Sequence, residues 1–267
     1  MIKITALPAF QDNYLWVIES DQHCYVVDPG DGKVVHQWLQ KQHKQLSAIL
    51  ITHHHNDHIG GINWLLNYYS VPVYGPDSDR IPQITHIVRD GDNLNLPGLP
   101  LKIIAVPGHT MDHIAYFAEQ SQQDPLLFCG DTLFAGGCGR IFDGTAALLH
   151  QSLTQISQLP HDTQVFCAHE YTLTNLTFAQ AVEPGNAKLI QRTLLEKEKR
   201  SFDRPTVPTT IGIERETNPF LRCHLESVKQ TVEAHYCAKT SCAQDVFTLL
   251  RQWKDNFNHQ TAANLQL

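Results

Sequence analysis

Residues 52–58 read Thr-His-His-His-Asn-Asp-His, and no other stretch restricts the fold of this chain as tightly. His53, His55, Asp57 and His58 place three imidazoles and a carboxylate within six residues. All are nitrogen or oxygen donors suited to a divalent transition metal. His53, His55 and Asp57 recur at every second residue. A helix would scatter that period around its circumference, whereas an extended or turning segment aims all three the same way. The run follows Ala48-Ile49-Leu50-Ile51, an apolar stretch that reads as a buried strand. The local expectation is a strand ending in a loop packed with metal ligands.

Three more donors stand just after strand-like apolar runs. Ile103-Ile104-Ala105-Val106 leads through Pro107-Gly108 to His109, Leu126-Leu127-Phe128-Cys129-Gly130 leads to Asp131, and Val165-Phe166-Cys167-Ala168 leads to His169. A donor at the end of a buried strand is placed by the sheet core and faces the rim where α/β folds bind ligands. If these strands are neighbours, His53, His55, Asp57, His58, His109, Asp131 and His169 converge. That set exceeds one tetrahedral zinc and suits two metals sharing a carboxylate. Two ions about 3.5–4 Å apart can hold a bridging water and acidify it to hydroxide near neutral pH, so no serine or cysteine nucleophile is needed. His54 and Asn56 alternate away from the ligand face and are read as non-ligands. His113, close to His109, is read as a residue that orients a ligand.

The 267 residues allow one large domain, or a main domain with a smaller one. Through residue 170 strand-like and helix-like stretches alternate. Val34, Val35, Trp38 and Leu39 have helical spacing, as do Ile62, Leu65, Leu66 and Tyr69, and Ala146, Leu149, Leu153 and Ile156. Residues 173–201 and 224–257 read as helical, joined by a Pro/Thr-rich loop at 204–210. The expected layout is an α/β domain over residues 1–170 and a smaller helical domain over 171–267.

No apolar run is long enough to span a bilayer, and the N-terminus lacks a secretory pattern. Seven scattered cysteines without a Cys-x-x-Cys pair read as reduced thiols of a cytoplasmic protein. A net charge of −7 argues against a nucleic-acid groove. The charge is lopsided: residues 1–170 hold 8 Lys+Arg against 17 Asp+Glu, and residues 171–267 hold 12 against 10. A basic second half favours an anionic substrate.

The pieces Thr52-His53-His54-His55-Asn56-Asp57-His58, Gly108-His109-Thr110, Gly130-Asp131 and His169-Glu170 together resemble the metallo-β-lactamase superfamily. That resemblance implies an αββα sandwich with a binuclear site at the strand ends. It implies one metal on His53, His55 and His109, a second on Asp57, His58 and His169, and Asp131 bridging. Asp12-Asn13-Tyr14, Phe134-Ala135-Gly136-Gly137-Cys138-Gly139-Arg140, His169-Glu170-Tyr171, Asn218-Pro219-Phe220-Leu221-Arg222 and Arg251-x-x-Lys254 are similar to the glyoxalase II (hydroxyacylglutathione hydrolase) family over essentially the whole chain.

This narrower resemblance implies hydrolysis of S-D-lactoylglutathione, and related S-2-hydroxyacylglutathiones, to a 2-hydroxy acid and glutathione, the second step of methylglyoxal detoxification. A metal-bridging hydroxide would attack, with Asp57 and Asp131 as the catalytic carboxylates. The cofactors would be two divalent ions, zinc first, though these donors also accept iron or manganese. Arg140, Phe142, Tyr171, Arg251 and Lys254 would hold glutathione. The expected partner is that small thioester, with no nucleic acid and no membrane, and the chain is expected to act as a monomer.

Some positions depart from the family pattern. Arg140 stands where Lys is common, and keeps the charge in a fork that can grip a carboxylate. Phe142 stands where Tyr is common and can contribute only packing. Met111-Asp112 replaces the usual small residues between His109 and His113. Arg251 and Lys254, three apart, share one helical face. Rival readings are a mononuclear iron dioxygenase acting on glutathione persulfide, a lactonase or β-lactamase, and a non-catalytic metal-binding protein. Donors fixed at separate strand ends, not in a His/Cys-rich tract, speak against the last.

Overall fold

The computed structural model describes residues 2–119 and 123–264, with residues 258–264 by backbone alone. Six strands make the first sheet in spatial order: β1 (Ile2–Ala9), β2 (Asn13–Ser20), β3 (His23–Val27), β4 (Ala48–Leu50), β5 (Val73–Gly75) and β6 (His86–Ile87). β1 to β3 are antiparallel, and β3 to β6 run parallel. Parallel neighbours need crossovers. Helix α1 (Gly32–Lys41) links β3 to β4, and the short α2 (Asn56–Ile59) and α3 (Ile62–Leu66) lie between β4 and β5. Asp31 starts α1 by accepting from the backbone N–H groups of Lys33 and Val34.

The rest of the chain supplies β7 (Asn93–Leu96), β8 (Leu99–Ala105), β9 (Ile114–Ala118), β10 (Leu126–Gly130), a ribbon of β11 (Leu133–Phe134) and β12 (Gly137–Cys138), β13 (Gln164–Cys167) and β14 (Thr209–Thr210). The second sheet has the order β14-β13-β10-β9-β8-β7.

Side-chain alternation explains how the layers stack. Trp16, Ile18, Tyr25, Val27, Ala48 and Leu50 point from the first sheet into the core shared with the second. Their neighbours Leu15, Val17, Val26 and Ile49 point the other way, onto Val35, Leu39, Ile62 and Leu65 of α1 and α3. Successive strand residues face opposite sides, so a strand apolar at every position is covered on both faces. Helix α4 (Ala146–Ile156), capped by Thr145, adds Leu149, Leu153 and Ile156 to the core that includes the second sheet. The αββα expectation holds.

The second half differs from its sequence reading in detail. The stretch 173–201 is two helices, α5 (Thr172–Val182) and α6 (Ala187–Ser201), because Pro184-Gly185 interrupts them and Asn186 caps the second. The presumed loop at 204–210 ends in β14, which pairs antiparallel with Gln164 and Val165 at the edge of the second sheet. Helix α7 (Ile211–Thr217) follows at once, and α8 (Glu226–Tyr236) and α9 (Ala243–Asn264) close the chain. Among the described residues, no helix is long and apolar enough to cross a membrane.

Candidate metal centre and substrate cleft

All seven predicted donors meet at one end of the sandwich. His53, His55, His109 and Asp131 form one group and Asp57, His58 and His169 another, with donor atoms in each group within 4.8 Å of one another. His55 Nδ1 lies 3.1 Å from His53 Nε2 and 3.0 Å from His109 Nε2. Two nitrogens at ordinary bond lengths on one tetrahedral zinc lie about 3.3 Å apart, so these three suit a common ion.

Asp131 faces both groups. Its Oδ2 is 3.5 Å from His109 Nε2, and its Oδ1 is 3.5 Å from His58 Nε2 and 3.3 Å from His169 Nε2. Asp57 Oδ2 lies 3.4 Å from both His58 Nε2 and His169 Nε2. His58 Nε2 and Asp131 Oδ1 are buried without a hydrogen-bond partner. Buried polar atoms are rarely left so. Here both aim lone pairs into the gap between the groups, as ligands of a divalent pair would. The donor set and fold support a dinuclear divalent metal site.

The strand-end rule placed these donors correctly, with one change. The alternation runs only through His55. From Asn56 the chain makes the single turn of α2, which hands Asp57 and His58 to the second group. An extended run would have put Asp57 beside His53 and His55. Glycine permits the crowding here. A Cβ on Gly30 would lie 1.7 Å from the Asp57 carbonyl oxygen. At Gly130 the backbone turns at φ +47°, where a Cβ would meet Thr52 Oγ1 at 2.5 Å.

The far nitrogens of the rings are anchored. His58 Nδ1 is 2.9 Å from Asp28 Oδ2, His169 Nδ1 is 2.8 Å from Asp12 Oδ1, and His109 Nδ1 is 2.7 Å from the Arg140 carbonyl. Thr52 gives its hydroxyl proton to Asp28, so its oxygen accepts from His53 Nδ1. Each ring is thereby held with Nε2 free for the site. His113 donates from Nδ1 to the Ile114 carbonyl and accepts the Asp131 backbone N–H at Nε2, so it positions Asp131. His54 turns away to Asp112 and Arg80.

The electrostatics call for cations. Burial pushes the Asp131 carboxyl up, but His169 and His58 outweigh it and hold the group well below the usual range. Burial likewise lowers His58, yet Asp131 and Asp28 raise it well above an ordinary histidine. The carboxylates attract positive charge into the space that a metal pair would fill.

A cavity of about 660 Å³ opens over this centre. Asp57, His55, Asp131, Arg140, Phe142, Tyr171, Arg251 and Lys254 all line it, so the five expected glutathione contacts share one cleft with the donors. Phe142 packs edge-on against the His55 and His109 rings, with centroids 4.8 and 5.2 Å away. Tyr171 stacks flat on His169 at 4.7 Å.

The sequence profile described as Metallo-beta-lactamase superfamily matches residues 10–169, and that described as Hydroxyacylglutathione hydrolase C-terminus matches residues 170–257. A hydroxyacylglutathione hydrolase of Shewanella halifaxensis is 48% identical, the match covering 96% of this chain and 100% of that one. One from Nitrosomonas europaea is 45% identical over 98% of each. The chain belongs to the hydroxyacylglutathione hydrolase family. The crystal structure of ETHE1 from Myxococcus xanthus, 23% identical, superposes with a TM-score of 0.64 over 97% of this chain and 91% of that one, a likeness of fold.

In this hydroxyacylglutathione hydrolase family member the basic pair on α9 is not a solvated surface feature. Arg251 and Lys254 are 4% and 5% exposed. Arg251 donates to the Cys138 carbonyl at 3.1 Å and to Asp255 at 2.8 Å, with its guanidinium 5.0 Å over the Phe220 ring. Lys254 Nζ lies 3.3 Å from the Thr174 carbonyl and 5.2 Å over Phe178. Burial, then the neighbouring Arg251, brings the Lys254 ammonium down to about 8. Arg140 stays half-exposed, its Nε 4.0 Å from Asp255.

The sequence pattern does not single out Asp28, nor does it show the anchoring roles of Thr52 and Asp12 within the motifs that contain them. Asp28 had a signal, since it follows β3 directly, as Asp131 follows β10. Glu214 also went unnoticed. It is fully buried, pairs with Arg192 at 2.6 Å and accepts the Gly136 N–H at 2.8 Å. It thus fastens the β11–β12 ribbon, whose Phe134 and Cys138 line the cleft.

Proposed function

We propose that this chain hydrolyses S-D-lactoylglutathione and related S-2-hydroxyacylglutathiones to the 2-hydroxy acid and glutathione. The observation that carries the reading is the single cleft in which His55, Asp57, His109, Asp131 and His169, five of the seven donors, face Arg140, Arg251 and Lys254. A thioester of an anionic tripeptide needs that pairing, because the cations hold the peptide while the reacting carbonyl rests on the donors.

His53, His55 and His109 would hold one ion, Asp57, His58 and His169 the other, and Asp131 would bridge them. The two ions, zinc first with iron or manganese accepted by the same donors, supply Lewis acidity for the carbonyl and acidify a water. Asp57 is kept in place by the Asn13 amide at 2.9 Å, where it would accept a hydrogen bond from the attacking water. A thiolate leaves readily, so no general acid is required. Tyr171 and Phe142 wall the cleft beside the rings they pack on. Residues 1–170 thus carry the chemistry and residues 171–267 most of the peptide recognition. The free cysteines support a reducing compartment, the cytoplasm.

The direct test is thiol release from S-D-lactoylglutathione by metal-loaded protein. Absence of release would refute the reading. Lys254→Ala should raise KM roughly tenfold and leave kcat within about threefold, because it removes binding felt equally by substrate and transition state. An unchanged KM would remove Lys254 from the cleft's binding groups.

The pH profile gives a sharper check. With its ammonium at about 8, Lys254 is charged below that pH and neutral above it. kcat/KM reports the free protein and should fall as pH rises through about 8. Lys254→Arg should carry the fall to higher pH. A profile that is identical in the two proteins would show that Lys254 does not govern it.

A further inference from the structure

A second cleft of about 520 Å³ adjoins the first, sharing Asp12, Glu170 and Thr174 as a common wall. Its far side is formed by the end of α6 and the residues after it, with Arg200 and Asp203 facing in. Among the described residues neither takes part in an ion pair. The Arg200 guanidinium donates only to the Arg204 carbonyl, at 2.9 Å. The shared carboxylates are already engaged: Asp12 with His169, and Glu170 with Tyr14 and Thr206. The cleft therefore offers one uncommitted positive group and one uncommitted negative group, three residues apart in sequence.

At the cleft mouth stands Phe10, 59% exposed and at φ +53°. A bulky side chain at positive φ is unusual, and such strain persists where the surrounding structure enforces it. Here the β1–β2 turn holds an aromatic ring in the open, beside Pro8 and Leu173.

This placement matches an end of glutathione that the first cleft leaves unexplained. The tripeptide carries a carboxylate at each end, and Arg140, Arg251 and Lys254 suffice for one. With sulfur at the donors, a peptide end that crossed the shared wall of Asp12 and Thr174 would enter the second cleft. That end is a zwitterion, an α-carboxylate and an α-ammonium on an aliphatic stem. We propose that the second cleft binds the γ-glutamyl end of the substrate, with Arg200 taking its carboxylate, Asp203 its ammonium and Phe10 covering its methylenes. The proposal rests on the thioester hydrolase reading above.

The test pairs variants with a shortened substrate. S-D-lactoyl-N-acetylcysteinylglycine keeps the thioester, the cysteinyl amide and the glycine carboxylate but lacks the glutamyl zwitterion. Arg200→Gln and, separately, Asp203→Asn should each raise KM for S-D-lactoylglutathione roughly tenfold, the loss of one charge-assisted contact. Both should leave the KM of the shortened thioester unchanged, and Arg200→Lys should recover most of the loss. Equal KM increases for both substrates, or none for either, would overturn the subsite while leaving the hydrolase reading intact. No thiol release from either substrate by the unmodified chain would overturn the hydrolase reading, and the subsite with it.

Discussion

Replacing Asp131 by asparagine is expected to reduce thioester hydrolysis by about 10³-fold or more and to cost at least one bound metal equivalent. The magnitude follows from the several kcal/mol of charge stabilisation that a metal centre supplies. Among the described residues, Asp131 is the one whose two oxygens face different donor groups, Oδ2 toward His109 and Oδ1 toward His58 and His169. Asparagine keeps the shape and removes the negative charge that sets two cations side by side. It also presents an N–H₂ to one group in place of a lone pair. The backbone N–H of residue 131 still reaches His113 Nε2, so the strand end should stay in place. Metal content and thiol release measured on the same preparation decide the matter. A variant with both equivalents and undiminished turnover would end the bridging assignment. Asp28→Asn, which disturbs only the anchoring of His58 and Thr52, should cost less, about 10–100-fold.

The second large effect concerns stability. Glu214→Ala should destabilise the fold by about 3–5 kcal/mol, because it strands a buried cation. The Arg192 side chain is 6% exposed, and Glu214 is its only carboxylate partner among the described residues. The same carboxylate accepts from Thr209 Oγ1 at 2.7 Å, the Gly136 N–H at 2.8 Å and Asn218 Nδ2 at 2.9 Å. Alanine leaves the Thr209 hydroxyl and the Gly136 N–H without an acceptor, while Asn218 Nδ2 keeps the Gly137 carbonyl at 2.9 Å. For a chain of this size the melting temperature should drop by about 10 °C. The double variant Arg192→Met with Glu214→Ala should recover part of the loss, since no unpaired charge then remains. A single variant melting within about 2 °C of the parent would show that water or a shifted side chain meets the need.

The chemistry of the site was legible because strands announce themselves. His109, Asp131 and His169 each follow an apolar run, and the sheet that buries those runs brings their ends together. The anchoring residues were harder to read. Asp28 lies 24 residues before Thr52, which it holds, and only the parallel pairing of β3 with β4 makes them neighbours. Residues 204–210 looked like a loop because Pro205 and Pro208 dominate them, yet Thr209 and Thr210 are β-branched and find an open strand to pair with.

Charge counting points toward an anionic substrate without saying which cations reach the cleft. Arg192, Arg222, Lys188, Lys199 and Lys239 are spent on Glu214, Glu183, Glu216, Glu196 and Glu233. Arg251 and Lys254 differ from these in being buried over the Phe220 and Phe178 rings at the cleft wall, a property of packing that no local count contains.

The edge strand β14 has a consequence for how the molecule can be divided. It is two residues long, yet it covers β13, the strand that delivers His169. Cutting the chain after residue 170 would remove that cover and expose a row of unpaired backbone groups, a surface prone to self-pairing. It would also remove the carboxylate that fastens the β11–β12 ribbon. The second half is therefore no detachable cap: exchanging it between relatives to alter substrate choice means rebuilding a seam that runs through the sheet itself.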